Sequence, residues 1–171
     1  MKIDRNSYGT IALVYAIGIV TVAILLVFGQ VRWLDWAVIL FVLAFCFWQT
    51  MFFRVPRRCA IGNDKTVTSV ADGRIVIIDR VYEPEYLKRD CIQVSVYMNF
   101  WDVHANFWPV SGEVQYYKYH PGKHLLAFKP KASEDNEHTS ICIKTVDGHE
   151  VLFKQLAGTF ARSIVCSATP G

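Results

Sequence analysis

Two long apolar runs open the chain, and a different pattern follows them. No residue carries a charge from Asn6 to Val31, and none does from Trp36 to Phe53. Each run is close to the ~20 residues that an α-helix needs to cross a bilayer. Apolar side chains fall on every face of each run, as on a helix surrounded by lipid rather than one laid against a core. The second run, WAVILFVLAFCFWQTMFF, has aromatic residues at both ends, where the two water interfaces of a bilayer lie. The pattern therefore predicts two transmembrane helices, over about residues 10–28 and 34–53. A cleaved signal peptide fits less well. The first run is long for one, has no small-residue cleavage site and is followed by a second span. The short connector GQVRWLD makes the pair an antiparallel hairpin.

Residues 54–66 read as a linker, with Pro56, Gly62 and Asn63. Beyond them the apolar period falls to about two. RIVIIDRV, CIQVSVYM, GEVQYYKY, HLLAFKP, TSICIKTV and EVLFKQLAG are β-rich and short, and turn signals separate them at Asp72-Gly73, Pro121-Gly122 and Asp147-Gly148. The expected architecture is an N-terminal two-helix transmembrane hairpin followed by an all-β domain over 67–171, a sandwich or barrel. QLAGTFARSIVC is ambiguous between helix and strand. The sequence stops at SATPG, after an apolar run and a turn signal. A β domain normally closes with a further strand, and an open edge invites aggregation. The last part of the domain is therefore expected to be missing.

Charge orients the hairpin. Lys2 and Arg5 precede the first span, and Arg54, Arg57 and Arg58 follow the second; the connector holds only Arg32 against Asp35. Positive residues favour the cytoplasmic side. Both ends and the β domain are thus expected on the cytoplasmic face of the inner membrane. The cluster FFRVPRR lies at headgroup depth, where each cation adds ~1 kcal/mol of attraction to anionic lipid. The net charge of +3 is too modest to indicate nucleic acid. The five cysteines, at 46, 59, 91, 142 and 166, are odd in number, widely spaced and without a CxxC pair. They suggest neither a disulfide framework nor a zinc site.

No phosphate loop, nucleophile elbow or metal-ligand spacing is present. His104, in DVHANFWPVSGEV, is the best single candidate for chemistry. Apolar surroundings disfavour its charged form, which suits a general acid or base working near neutral pH. Its plain alternative is a packed, hydrogen-bonded histidine. Asp72, in VADGRIV, reads by itself as a hairpin-turn residue. His120 and His124 flank a Pro-Gly turn and are too isolated to argue for a metal. The run from Glu134 to His138 reads as a solvated loop.

From Phe52 to Cys166 the chain resembles the short bacterial and archaeal-type phosphatidylserine decarboxylase proenzymes. The matching pieces come in the family's order: FFRVPRR after a two-span anchor, ADGRIV, CIQVSVYMNFWDVHANFWPVSGEVQYYKYHPGKHLLAF, KASEDNEHTSICI and VLFKQLAGTFARSIVC. The resemblance implies a self-processing, pyruvoyl-dependent lyase of phospholipid biosynthesis. In that family a serine of a Gly-Ser pair attacks the preceding carbonyl. The chain is then cut into a large β chain and a small α chain that begins with the pyruvoyl group. That carbonyl forms a Schiff base with phosphatidylserine and acts as electron sink while CO2 leaves, and hydrolysis releases phosphatidylethanolamine. The resemblance assigns Asp72 to self-cleavage. It places His104 beside the pyruvoyl and the substrate carboxylate.

Two positions depart from the family. A second histidine, three residues after the first in some members, is Phe107 here, so another group must assist self-cleavage; His120 is a guess for it. The Gly-Ser pair is absent, since Ser163 follows Arg162 and Ser167 follows Cys166. On this reading the chain holds most of a β chain and none of an α chain. It is expected to be a fragment, inactive alone. Its partners would be phosphatidylserine in the membrane and an α chain carrying the pyruvoyl group, with homo-oligomerisation left open. Two rivals stand beside this reading. One is a membrane-anchored β module of lipoyl-like or adaptor type, which would need a lysine at a hairpin tip or a heptad arm; neither is present. The other is a catalytically inactive phospholipid-binding β module, favoured by the missing Gly-Ser and opposed by the intact Asp72 and His104.

Overall fold

The computed structural model describes residues 2–29, 32–59, 66–126 and 135–171. They divide into two compact units. The first is Met1–Arg58 with Met98–Ala105, and the second is Cys59–Tyr97 with Asn106–Gly171.

The first unit is built on two helices, α1 (Tyr8–Phe28) and α2 (Trp33–Phe52). Both are long and apolar enough to cross a membrane. At ~1.5 Å per residue each is about 30 Å long, the thickness of a bilayer's hydrocarbon core. They run antiparallel. Gly18 lies against Val42 and Cys46, while Tyr15 Oη and Thr50 Oγ1 share a hydrogen bond of 2.9 Å. A Cβ on Gly18 would stand 3.1 Å from Val42 Cγ1 and 3.3 Å from Cys46 Sγ, so the absent side chain is what admits α2 here. At the start of α2 the Asp35 carboxylate accepts the Arg32 N–H at 2.9 Å and so caps the first turn. The outer ends are tied together. β1 (Lys2–Ile3) pairs antiparallel with β2 (Arg54–Val55), and Asp4 N donates to Phe53 O. Lys2, Arg5 and Arg54 are thereby gathered at one end of the hairpin.

The second unit is strand-rich. β3 (Arg74–Glu83) and β4 (Arg89–Tyr97) form an antiparallel ribbon with a bulge between Ile75 and Ile77. β5 (Glu113–His120), β6 (His138–Lys144) and β7 (Glu150–Leu156) form an antiparallel meander with β6 in the centre. Being central, β6 is the core: Thr139 to Ile143 are all 2% exposed or less. Among the described residues the sheets do not close into the barrel that the pattern allowed. They remain a two-stranded ribbon and a three-stranded sheet.

Four expectations change in detail. Asp72-Gly73 is not the hairpin turn; the β3–β4 connection is at residues 84–88, and Asp72 sits in the bend before β3. The described residues of HLLAFKP, His124 to Leu126, form no strand, and the rest lie outside the described residues, as do Gly62, Asn63 and Glu134. QLAGTFARSIVC gives only Gln155 and Leu156 to β7 and is then irregular. The described part of the polar run 134–138 is not a solvated loop. Asn136 is 1% exposed and bonds the backbone of Leu125 in both directions and Ala157 O.

Candidate active site

His104 lies in the loop 98–105, in the same unit as the helices. The loop is locally fixed. Asn99 Oδ1 accepts Trp101 N–H, and Asp102 Oδ2 accepts Asn99 N–H, both at 2.8 Å. Short polar side chains that bond their own backbone make such turns. Val103 is buried beside it, at 2% exposure. The imidazole stacks on Phe52, the last residue of α2, with centroids 3.9 Å apart and planes 26° from parallel. Its Nδ1 is 3.1 Å from Asp102 O. A carbonyl can only accept, so Nδ1 carries the proton, and Nε2 is left with its lone pair. Burial pushes the imidazole pKa below its ordinary value. The bond to Asp102 O and the Asp102 charge oppose that push, while the Arg54 charge adds to it. The resting ring is therefore neutral and half-buried, with its proton on Nδ1 and its lone pair on Nε2.

Asp72 lies in the second unit. Its segment runs beside residues 107–109: Thr68 N donates to Pro109 O at 2.9 Å and Phe107 N to Val70 O at 2.7 Å. Gly73, next in sequence, has φ +143°, and a Cβ there would stand 2.3 Å from Tyr97 O. Only glycine lets the chain pass so near β4 while turning into β3. The backbone that presents Asp72 is thus fixed on one side by Phe107 and on the other by Tyr97.

A family model described as phosphatidylserine decarboxylase matches residues 45–171. The phosphatidylserine decarboxylase proenzyme of Amoebophilus asiaticus is 48% identical over 117 residues, covering 68% of this chain and 52% of that protein. Those of Nitrosomonas europaea and Cytophaga hutchinsonii are each 43% identical, over 136 and 114 residues. The Nitrosomonas match covers 80% of this chain and 59% of that protein.

The chain belongs to the phosphatidylserine decarboxylase family.

It spans about half the length of the curated relatives it matches. The matched region includes the end of α2, Asp72 and the whole His104 loop. The sequence resemblance to the decarboxylase proenzymes, and the lyase class it implied, therefore hold at the level of the family. The residue at the second-histidine position, Phe107, is tied through its backbone to Val70, two residues before Asp72.

His120 is engaged elsewhere. Its Nε2 meets Glu85 Oε1, and its ring stacks on His138 at 4.3 Å, its cross-strand neighbour in β6. Glu85 also accepts Ser140 Oγ–H at 2.7 Å and Tyr116 Oη–H at 3.0 Å, and Lys154 Nζ lies 3.3 Å away. Burial alone would raise this carboxyl, but the bonds from Ser140, Tyr116, His120 and Lys154 outweigh it and hold the pKa down at about 2. His124 is paired with Glu137 at 3.0 Å. Sequence reasoning gave no sign of Glu85, which stands between Pro84 and Tyr86 in no motif. It saw Arg54 as a topology and lipid-attraction signal and Phe52 as part of a span, both within the matching piece FFRVPRR, and gave neither a role beside His104.

Proposed function

We propose that this chain carries the Asp72 and His104 machinery of a pyruvoyl-dependent phosphatidylserine decarboxylase, which converts phosphatidylserine to phosphatidylethanolamine and CO2. The observation that supports it best is a neutral imidazole, with its lone pair on Nε2, seated on the last residue of an apolar helix. The substrate's carboxylate and amine lie at the surface of a bilayer, where the end of a membrane-crossing helix also lies. The pyruvoyl group, formed on a serine outside these residues, supplies the electron sink that decarboxylation needs.

The side chains present fit such a group. Loss of CO2 leaves the former carboxyl-bearing carbon short of a proton. His104 can take a proton from water at Nε2 and pass it there, while Asp102 O holds Nδ1–H and keeps the ring's orientation. A lowered pKa makes the imidazolium the stronger acid for that step. In its neutral form the ring does not trap the carboxylate as a fixed ion pair. Asp72 belongs to the earlier event, chain cleavage, for which its carboxylate, carried on a backbone held by the Phe107–Val70 bond and the Gly73 bend, serves as the proton-handling group. A processed α chain is the partner, and phosphatidylserine in the inner membrane the substrate.

Expression of the full-length gene product tests this. Two chains should appear on a denaturing gel, and CO2 should be released from carboxyl-labelled phosphatidylserine in mixed micelles. His104→Ala should still yield two chains but lose roughly 100-fold or more in rate, the usual weight of a general acid-base group. Asp72→Asn should leave one uncut chain. An active His104→Ala enzyme would remove the histidine from the mechanism.

A further inference from the structure

The side of α2 that faces the His104 loop has a ring pattern. Phe41, Phe45, Trp48 and Phe52 recur at helical spacing, with centroid separations of 6.3, 5.6 and 5.5 Å. The imidazole is the next ring of the series, 3.9 Å beyond Phe52. Two further contacts fasten the loop to the same helix end. Trp48 Nε1 donates to Phe100 O at 3.3 Å, and its ring meets Phe100 edge-on at 6.2 Å. Arg54 donates through Nη2 to Trp101 O at 2.8 Å and through Nη1 to Met51 O at 2.7 Å. One guanidinium thus closes the last turn of α2 and holds the histidine loop at the same time.

We propose that Phe52 and Arg54 are positioning residues for His104, so that the second apolar helix is the seat of the catalytic histidine as well as an anchor. This rests on the reading of His104 given above. Phe52 covers one face of the imidazole and keeps water from it. Arg54 fixes the carbonyl three residues before the histidine and sets a positive charge near the ring. Asp102 is the opposing charge, from the loop itself. A contact that merely stabilised the loop would be indifferent to the histidine's protonation. A seat that selects the neutral ring would not be.

The test uses the full-length, processed enzyme in mixed micelles, with kcat, KM and the pH dependence of kcat/KM measured for each variant. Phe52→Leu keeps apolar bulk and removes the flat face. It should lower kcat about tenfold or more with KM within about twofold, the pattern of an interaction realised in the reaction step. Its acidic limb should move up towards the ordinary histidine value of about 6.5. Phe52→Tyr should bring the limb back down. Arg54→Gln should also move the limb up, and Arg54→Lys should restore it in part. A direct reading comes from 15N-histidine titration in micelles, with the His104 signal assigned by its loss in His104→Asn. That signal should titrate at higher pH in Phe52→Leu and Arg54→Gln. Unchanged limbs and an unchanged His104 titration in both variants would overturn the proposal. His104→Ala separates the two ideas. If it is active, the reading of His104 fails. If it is inactive while Phe52→Leu and Arg54→Gln match the parent enzyme, only the seat fails.

Discussion

At the scale of single residues, Glu85 shows how one carboxylate can join several strands. It lies in the β3–β4 connection, yet its partners are Tyr116 and His120 on β5, Ser140 on β6 and Lys154 on β7, with Lys118 of β5 at 3.8 Å. Glu83 supports the same turn by accepting the N–H groups of Glu85, Tyr86 and Leu87. The pH consequence follows from the direction of the shift. The folded pKa of Glu85 is held down from 4.5 to about 2, so the unfolded chain takes up the proton first as pH falls. The stabilisation is fully present above about 4.5 and is lost between there and about 2, worth at most ~3 kcal/mol. Glu83, also lowered although burial alone would raise it, acts in the same direction. Acid unfolding of the chain in detergent micelles, followed by circular dichroism, should therefore steepen below pH about 4.5. Glu85→Gln should be less stable at pH 7 and show a shallower acid slope, with the residue of the slope due to Glu83. An identical slope in the two proteins would mean that the carboxylate is not what holds this turn.

At the scale of elements, the bend before β3 carries a sharp requirement. Gly73 combines φ +143° with a Cβ position 2.3 Å from Tyr97 O. Gly73→Ala must either move β3 away from β4 or abandon the turn, at a cost on the order of 1–3 kcal/mol. Because Asp72 is the adjacent residue, chain cleavage of the full-length protein should slow by more than the loss in melting temperature explains. A variant that melts lower but cleaves at the parent rate would detach the bend from processing. The elements themselves were largely legible in the sequence. Runs apolar on every face admit no other element than a lipid-embedded or fully buried helix, and a period of two marked β3, β4, β5, β6 and β7. Their assembly was not legible, because a local period says nothing about which strands pair. Asn136 was misread for a related reason: its partners, Leu125 and Ala157, lie far off in sequence. The chemical environment of His104 was anticipated from its aromatic neighbours. The ring that actually covers it, Phe52, belongs to a helix that composition had assigned wholly to the membrane.

At the scale of the whole molecule, the pairing of β1 with β2 has a consequence for topology. The N-terminus and the segment after α2 are hydrogen-bonded neighbours, so they share one side of any membrane the hairpin crosses. That side collects Lys2, Arg5, Arg54, Arg57 and Arg58, whereas the opposite end offers only Arg32 against Asp35, whose carboxylate accepts the Arg32 backbone N–H and caps α2. A bias of this size predicts that the basic end faces the cytoplasm. Cys59 is exposed and follows Arg58 directly, which makes it a natural reporter. With Cys59 kept as the single cysteine, a membrane-impermeant maleimide should label inside-out vesicles and spare intact spheroplasts. A cysteine placed by Trp33→Cys, at the exposed start of α2, should give the reverse pattern. Labelling of both sites from one side would show a hairpin lying on the membrane rather than through it. A swap of the two patterns would put the basic end outside. In that case His104, held on the last residue of α2, would meet only the outer leaflet, and a cytoplasmic supply of phosphatidylserine could not reach it without first crossing the bilayer.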